Sequence, residues 1–177
     1  MIRSLQLCLL LLLALNNSFA TPKNTNIAVV DVLQILERSL AVQSIKQGIN
    51  EISDNIHNEL STKDIEFKRA ENDLTKKKGS LPNDEFEKQV ATFNQNVSKA
   101  QREVENKKRK LEHAHATAMN KVHQVTVDII HKLAKSKKFD IALPTSQILY
   151  ADNALDITKE VLEELNKTLP IVTVEYK

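Results

Sequence analysis

The side chains best equipped for chemistry are few. Five histidines include His113 and His115, which sit two apart and point to different faces of any helix that carries them. No HExxH pattern accompanies them, so a zinc site of that kind is not encoded. His115, His123 and His131 recur every eight residues, a drifting stripe suited to pH-sensitive contacts rather than to a metal shell. Serines and aspartates are present without the glycine-bounded turn that exposes a nucleophile, and they serve as caps and surface groups. Two glycines cannot supply GxxxxGK[ST] or GxGxxG, which argues against nucleotide-driven action. Cys8 is the single cysteine, so no disulfide framework is encoded. The chemistry that remains is non-covalent binding: no enzyme activity, catalytic residue, metal or cofactor is expected.

The first 20 residues read as an address. Arg3 precedes an apolar run from Leu5 to Leu15, and Ser18-Phe19-Ala20 places small residues at −3 and −1. The run is shorter than the roughly 20 apolar positions a bilayer helix requires. A cleaved export signal over 1–20 is expected, with the mature chain beginning at Thr21 and Cys8 lost. A lipoprotein signal around Cys8 fits less well, because leucines continue beyond it.

Ile27-Ala28-Val29-Val30-Asp31 is a β-branched run that suits a short strand over about 27–31. Helical spacing then takes over. Leu33, Leu36 and Leu40 share a face, and the pattern continues through Ile45, Ile49, Ile52, Ile56, Leu60, Phe67, Ala70 and Leu74. It stops at KKKGSLPNDE (76–85), where Gly79 can cap a helix and Pro82, Asp84 and Glu85 suit the start of the next. It resumes from Phe86, Val90, Phe93 and Val97 to Ile129 and Leu133. A sustained spacing near 3.5 residues marks a left-handed coiled coil.

The expected arrangement is therefore an antiparallel helical hairpin over 39–138 with its tip at 76–85. Folding about the tip sets Phe67 opposite Phe93, Leu74 opposite Phe86 and Ile49 opposite Leu111. Lys63 and Lys107 take seam positions, and the same register sets Lys63 against Val97 and Lys108 against Ile52. Long side chains should snorkel outward there or weaken the pairing locally. Ala70, Ala100, Ala114 and Ala118 should leave the zipper thin and the arms flexible.

Beyond Lys138 the period changes. Strands are expected over about 139–143 and 147–151, closing a β-hairpin through Pro144-Thr145-Ser146, then a helix over about 156–168 capped by Asp156 and ended before Pro170. Ile171 to Tyr176 fits either another strand or a disordered end. The segments 21–38 and 139–177 would form one body. Three short strands are marginal alone, so a symmetric ring that pairs their edges between copies would bury Val29, Ile141, Leu149 and Tyr150.

Charge is uneven. Residues 61–138 carry 18 basic and 11 acidic side chains, and 139–177 carry three and seven. A positive arm attracts anionic partners such as acidic segments or an anionic membrane surface, or is simply a solvated face. The candidate binding residues spread along the arms are Lys68, Arg69, Lys76, Lys77, Lys78, Leu81, Lys88, Arg102 and Arg109. Nucleic acid is a poor fit, because acids interleave the basic residues.

IAVVDVLQILERS (27–39), the charged helical hairpin, FDIALPTSQILYADNALDITKEVLEELN (139–166) and the export signal together resemble the Skp/OmpH family of periplasmic chaperones. The resemblance implies a mostly α fold with a small β body, and a jellyfish-like homotrimer whose helical arms enclose unfolded outer-membrane proteins without ATP. A net charge of only +1 after signal removal departs from the strongly basic members. A different expectation is a structural coiled-coil spacer or adaptor of the cell envelope that binds one folded partner.

Overall fold

The computed structural model of the chain describes residues 24–177; the expected export signal over 1–20 lies outside them. Strand β1 (Ile27–Val30) leads into helix α1 (Val32–Arg38). Two long helices follow, α2 (Leu40–Lys77) and α3 (Asn83–Lys137). Strand β2 (Ile141–Pro144) and helix α4 (Thr158–Thr168) come next, and the tail closes the chain.

Side-chain caps set these boundaries. Asp31 accepts from the Gln34 amide at 2.9 Å to start α1. Ser39 ends α1 in an extended conformation and starts α2 by accepting from the Val42 amide at 3.2 Å. This break corrects the continuous apolar face expected from Leu33 to Leu40. Both leucines face outward, at 66% and 46% exposed, whereas Ala41, Val42 and Ile45 are buried. At the far end, Gly79 adopts φ 84, the left-handed conformation that costs glycine nothing, and Pro82 sits just before α3 with Asp84 and Glu85 in its first turn.

The two long helices face each other along the expected stripe. Phe67 and Phe93 meet edge to face with ring centres 6.1 Å apart. Lys63 pairs with Glu103, Lys107 with Glu59, and Lys77 with Gln89, so partner numbers fall on one helix as they rise on the other. At about 1.5 Å per residue, α2 and α3 extend for roughly 57 and 82 Å.

The sheet corrects the expected topology. β1 and β2 pair in parallel, from Ile27 with Ile141 to Val30 with Pro144, and the long helices form the crossover that parallel strands require. Residues 147–151 form no strand. Pro144 ends β2, a short 3₁₀ turn (Thr145–Gln147) closes with the Ile148 amide on the Thr145 carbonyl, and no hairpin partner follows. The other edge of β1 is taken by a bridge from Val29 to Asp156, reinforced by the Ile157 amide on the Val29 carbonyl at 3.0 Å.

Side-chain to backbone bonds join the two ends of the sequence into one body. The Asp31 amide donates to Thr158 Oγ1 at 2.8 Å, and the Leu40 amide to Asn166 Oδ1 at 2.9 Å. The Asn26 amide reaches Asp140, and the Val172 amide reaches Ser44 Oγ at 2.9 Å. Between them lies a core that includes Val30, Ile35, Ile45, Val122, Ile129, Val161 and Leu165. Asp156 is not the residue immediately before α4, but its carboxylate accepts from the Thr158 amide at 2.8 Å and so serves the helix start.

Candidate binding surface

The long helices place the expected basic residues along their length rather than in one site. Lys68, Arg69, Lys76, Lys78, Lys88, Arg102 and Arg109 are exposed. Lys68 pairs within its own helix with Asp64 at 2.6 Å, and that carboxylate raises the lysine's pKa. Lys76 lies 3.6 Å from Asp73. Two of the set, Lys77 and Lys88, come together in a shallow groove of about 470 Å³ floored by Leu74 and Phe93 near the turn. Leu81 is half-buried within the turn itself. Arg109 lines a separate groove with Lys110 and His113.

Sequence reasoning found the seam lysines but missed their partners. Lys63 and Lys107 do not simply snorkel: they meet Glu103 and Glu59 across the interface between α2 and α3. Lys107 Nζ lies 2.7 Å from Glu59, and Lys63 lies 3.8 Å from the same carboxylate. The hydrogen bond from Lys107 holds Glu59 below the ordinary carboxylate range, and the bond from Lys63 does the same to Glu103. Reciprocally, Glu103 raises Lys63 above the ordinary lysine value. The signal was available as acids placed near a register sum of 166 rather than 160.

The expected self-association residues divide. Val29 is buried within its own chain at 3% exposed, held between β2 and the Asp156 bridge, so it has no free surface to offer a second copy. Ile141 is 43% exposed, and Leu149 and Tyr150 stand free of the body. Near β2, a cleft of about 460 Å³ opens between α1 and α3, lined by residues that include Val32, Leu36, Met119, His123, Ile130 and Leu143. Nothing in the periodicity foretold it, because it joins α1 to α3 and β2 across more than 80 residues of sequence.

Among the described residues, no group of three His, Cys, Asp or Glu side chains comes together to hold a metal. No helix among them is long and apolar enough to cross a membrane.

The sequence model of the family described as Outer membrane protein (OmpH-like) matches residues 26–165, and the chain belongs to that family. Membership supports a chaperone role. The crystal structure of a candidate outer membrane chaperone (OmpH-like) from Caulobacter crescentus CB15 superposes with a TM-score of 0.80 at 20% identity, covering 89% of this chain and 93% of that one. That likeness concerns the fold. No curated protein matches the chain.

Proposed function

We propose that the chain is an ATP-independent periplasmic holdase that encloses unfolded outer-membrane proteins and prevents their aggregation before insertion. The match to the OmpH-like family over 26–165 carries this proposal. Residues 1–20 direct export and are removed. The two long helices form an antiparallel coiled-coil arm on a body made from both ends of the mature chain. Three copies assemble through exposed edges that include Ile141, Leu149 and Tyr150, so that three arms surround a client.

Binding without a nucleotide works by mass action: a holdase lowers the free concentration of unfolded client. Lys68, Arg69, Lys76, Lys77, Lys78, Lys88, Arg102 and Arg109 attract acidic segments at long range, while Leu81 and the edges of the seam meet apolar side chains. The same positive face can lie against an anionic membrane surface. Many weak contacts spread along the arms suit clients that share no sequence.

The test is solubility. Residues 21–177 are mixed, without nucleotide, with several unrelated β-barrel proteins diluted from denaturant. Suppressed light scattering for all of them is expected. Unchanged aggregation, together with tight capture of one folded envelope protein, would establish the spacer or adaptor instead.

A further inference from the structure

The tail packs in a way that neither of its sequence expectations described. It forms no strand, yet its burial alternates from Ile171 to Lys177: Val172 is buried, Val174 and Tyr176 are half-buried, and Ile171, Thr173, Glu175 and Lys177 are exposed. Alternation with a period of two is the mark of an extended chain lying on a surface. The surface is the base of the arm. Gly48 on α2 approaches Val174 so closely that a Cβ there would lie 3.1 Å from its Cγ2. Ala114 and Ala118 on α3 line the other side beside Ile171, Val172 and Thr173. A single hydrogen bond from the Val172 amide to Ser44 Oγ fixes the register. The tail also lies beyond residue 165, where the family match ends.

We propose that the tail is an internal stand-in for client, occupying a groove at the arm base that accepts an extended segment whose side chains alternate apolar and polar. The inference rests on the proposed holdase function. Strands of outer-membrane barrels carry that alternation, with apolar side chains facing lipid and polar ones facing the lumen. The groove selects the same pattern: it receives every second side chain and leaves the intervening polar ones, such as Thr173 and Glu175, in water. Val172, which joins the edge of the core, half-buried Val174 and one hydrogen bond make the hold, a small set of contacts that an unfolded barrel segment can displace. While the tail is seated the competent fraction of the groove is small, and apparent client affinity falls by that fraction.

The experiment compares residues 21–177 with a chain ending at Leu169 and with the full chain carrying Val174→Asp, a change in the tail that sets a charge against Gly48 and leaves the groove itself unaltered. Client affinity is measured with an unfolded β-barrel protein, and a labelled peptide of residues 171–177 is titrated into the truncated chain. Affinity about tenfold tighter in both variants is expected, with the peptide binding the truncated chain and being displaced by client. Equal or weaker client binding in folded variants overturns the inference, as does simultaneous binding of peptide and client. If truncation prevents folding, Val174→Asp decides alone by the same client affinity. A full chain that holds no client in any form overturns the proposed function itself, whereas one that holds client equally well with and without the tail overturns this inference only.

Discussion

At the scale of single residues, the seam lysines show how charge can occupy the interface between two long helices. Glu59 and Glu103 have depressed pKa values because Lys107 and Lys63 donate to them. A carboxylate whose folded pKa lies below its unfolded value stabilises the fold above the unfolded pKa, and that contribution disappears as pH falls through the folded one. The double variant Glu59→Gln/Glu103→Gln should therefore melt below the parent at pH 7, and the gap should close as pH falls through the carboxylate range. Thermal melts by circular dichroism across pH 2–8 check this; a gap that persists in acid contradicts it. Because these pairs are well solvated, the effect at pH 7 should also shrink in high salt.

Lys138 gives a second residue-scale prediction. It ends α3 with φ 60 and ψ 41, a left-handed conformation that disfavours a side chain. Its carbonyl is what the structure uses, accepting from Asn26 Nδ2 at 2.9 Å. Lys138→Gly keeps that carbonyl and removes the strain, so stability should rise by about 1 kcal/mol. Chemical denaturation would measure it, and a loss of stability would show that the lysine side chain matters more than its backbone.

At the scale of elements, the arm rests on a stripe that is mostly half-buried. Phe67 and Phe93 are its clearest cross-helix contact. A double-mutant cycle with Phe67→Ala and Phe93→Ala should give a coupling of about 0.5–1.5 kcal/mol, the range for edge-to-face aromatic pairs. Coupling near zero would mean that the helices do not meet there in solution. The turn, the two long helices and the aromatic pair were legible in the sequence because helical periodicity and the Gly79 to Pro82 punctuation are local signals. The topology of the body was not. A parallel pairing of β1 with β2 depends on segments more than 100 residues apart, and the apolar run Ile148-Leu149-Tyr150-Ala151 imitates a strand although Pro144 and the turn at Thr145–Gln147 send the chain elsewhere. The place of the tail was not legible either: Ala114 and Ala118 are buried, with the tail lying beside them.

At the scale of the whole molecule, the exposed large apolar side chains lie mostly on the body and at its junction with the arm, with Ile65 alone far out on the arm among those described. Leu149 and Tyr150 are the most exposed large apolar residues described, and they follow the strand rather than the arm. Light scattering of residues 21–177 should give three times the chain mass, and Leu149→Asp/Tyr150→Asp should shift it toward one copy while leaving helix content unchanged. A parent that is already monomeric would contradict the assembly. If the positive arms steer clients, capture should also slow as salt rises from about 50 to 500 mM, where screening shortens from roughly 14 to 4 Å.

The claim on which the rest stands is that clients are held along the arms and between them. A photo-reactive amino acid placed singly at Lys68, Lys88, Arg102, Arg109 and Leu149 tests it directly, with an unfolded β-barrel protein bound and the adducts resolved by mass. The four arm positions should each label client, and Leu149 should label a second copy of the chain. Client adducts at Leu149 with none on the arms would contradict the enclosure and place the binding surface on the body instead.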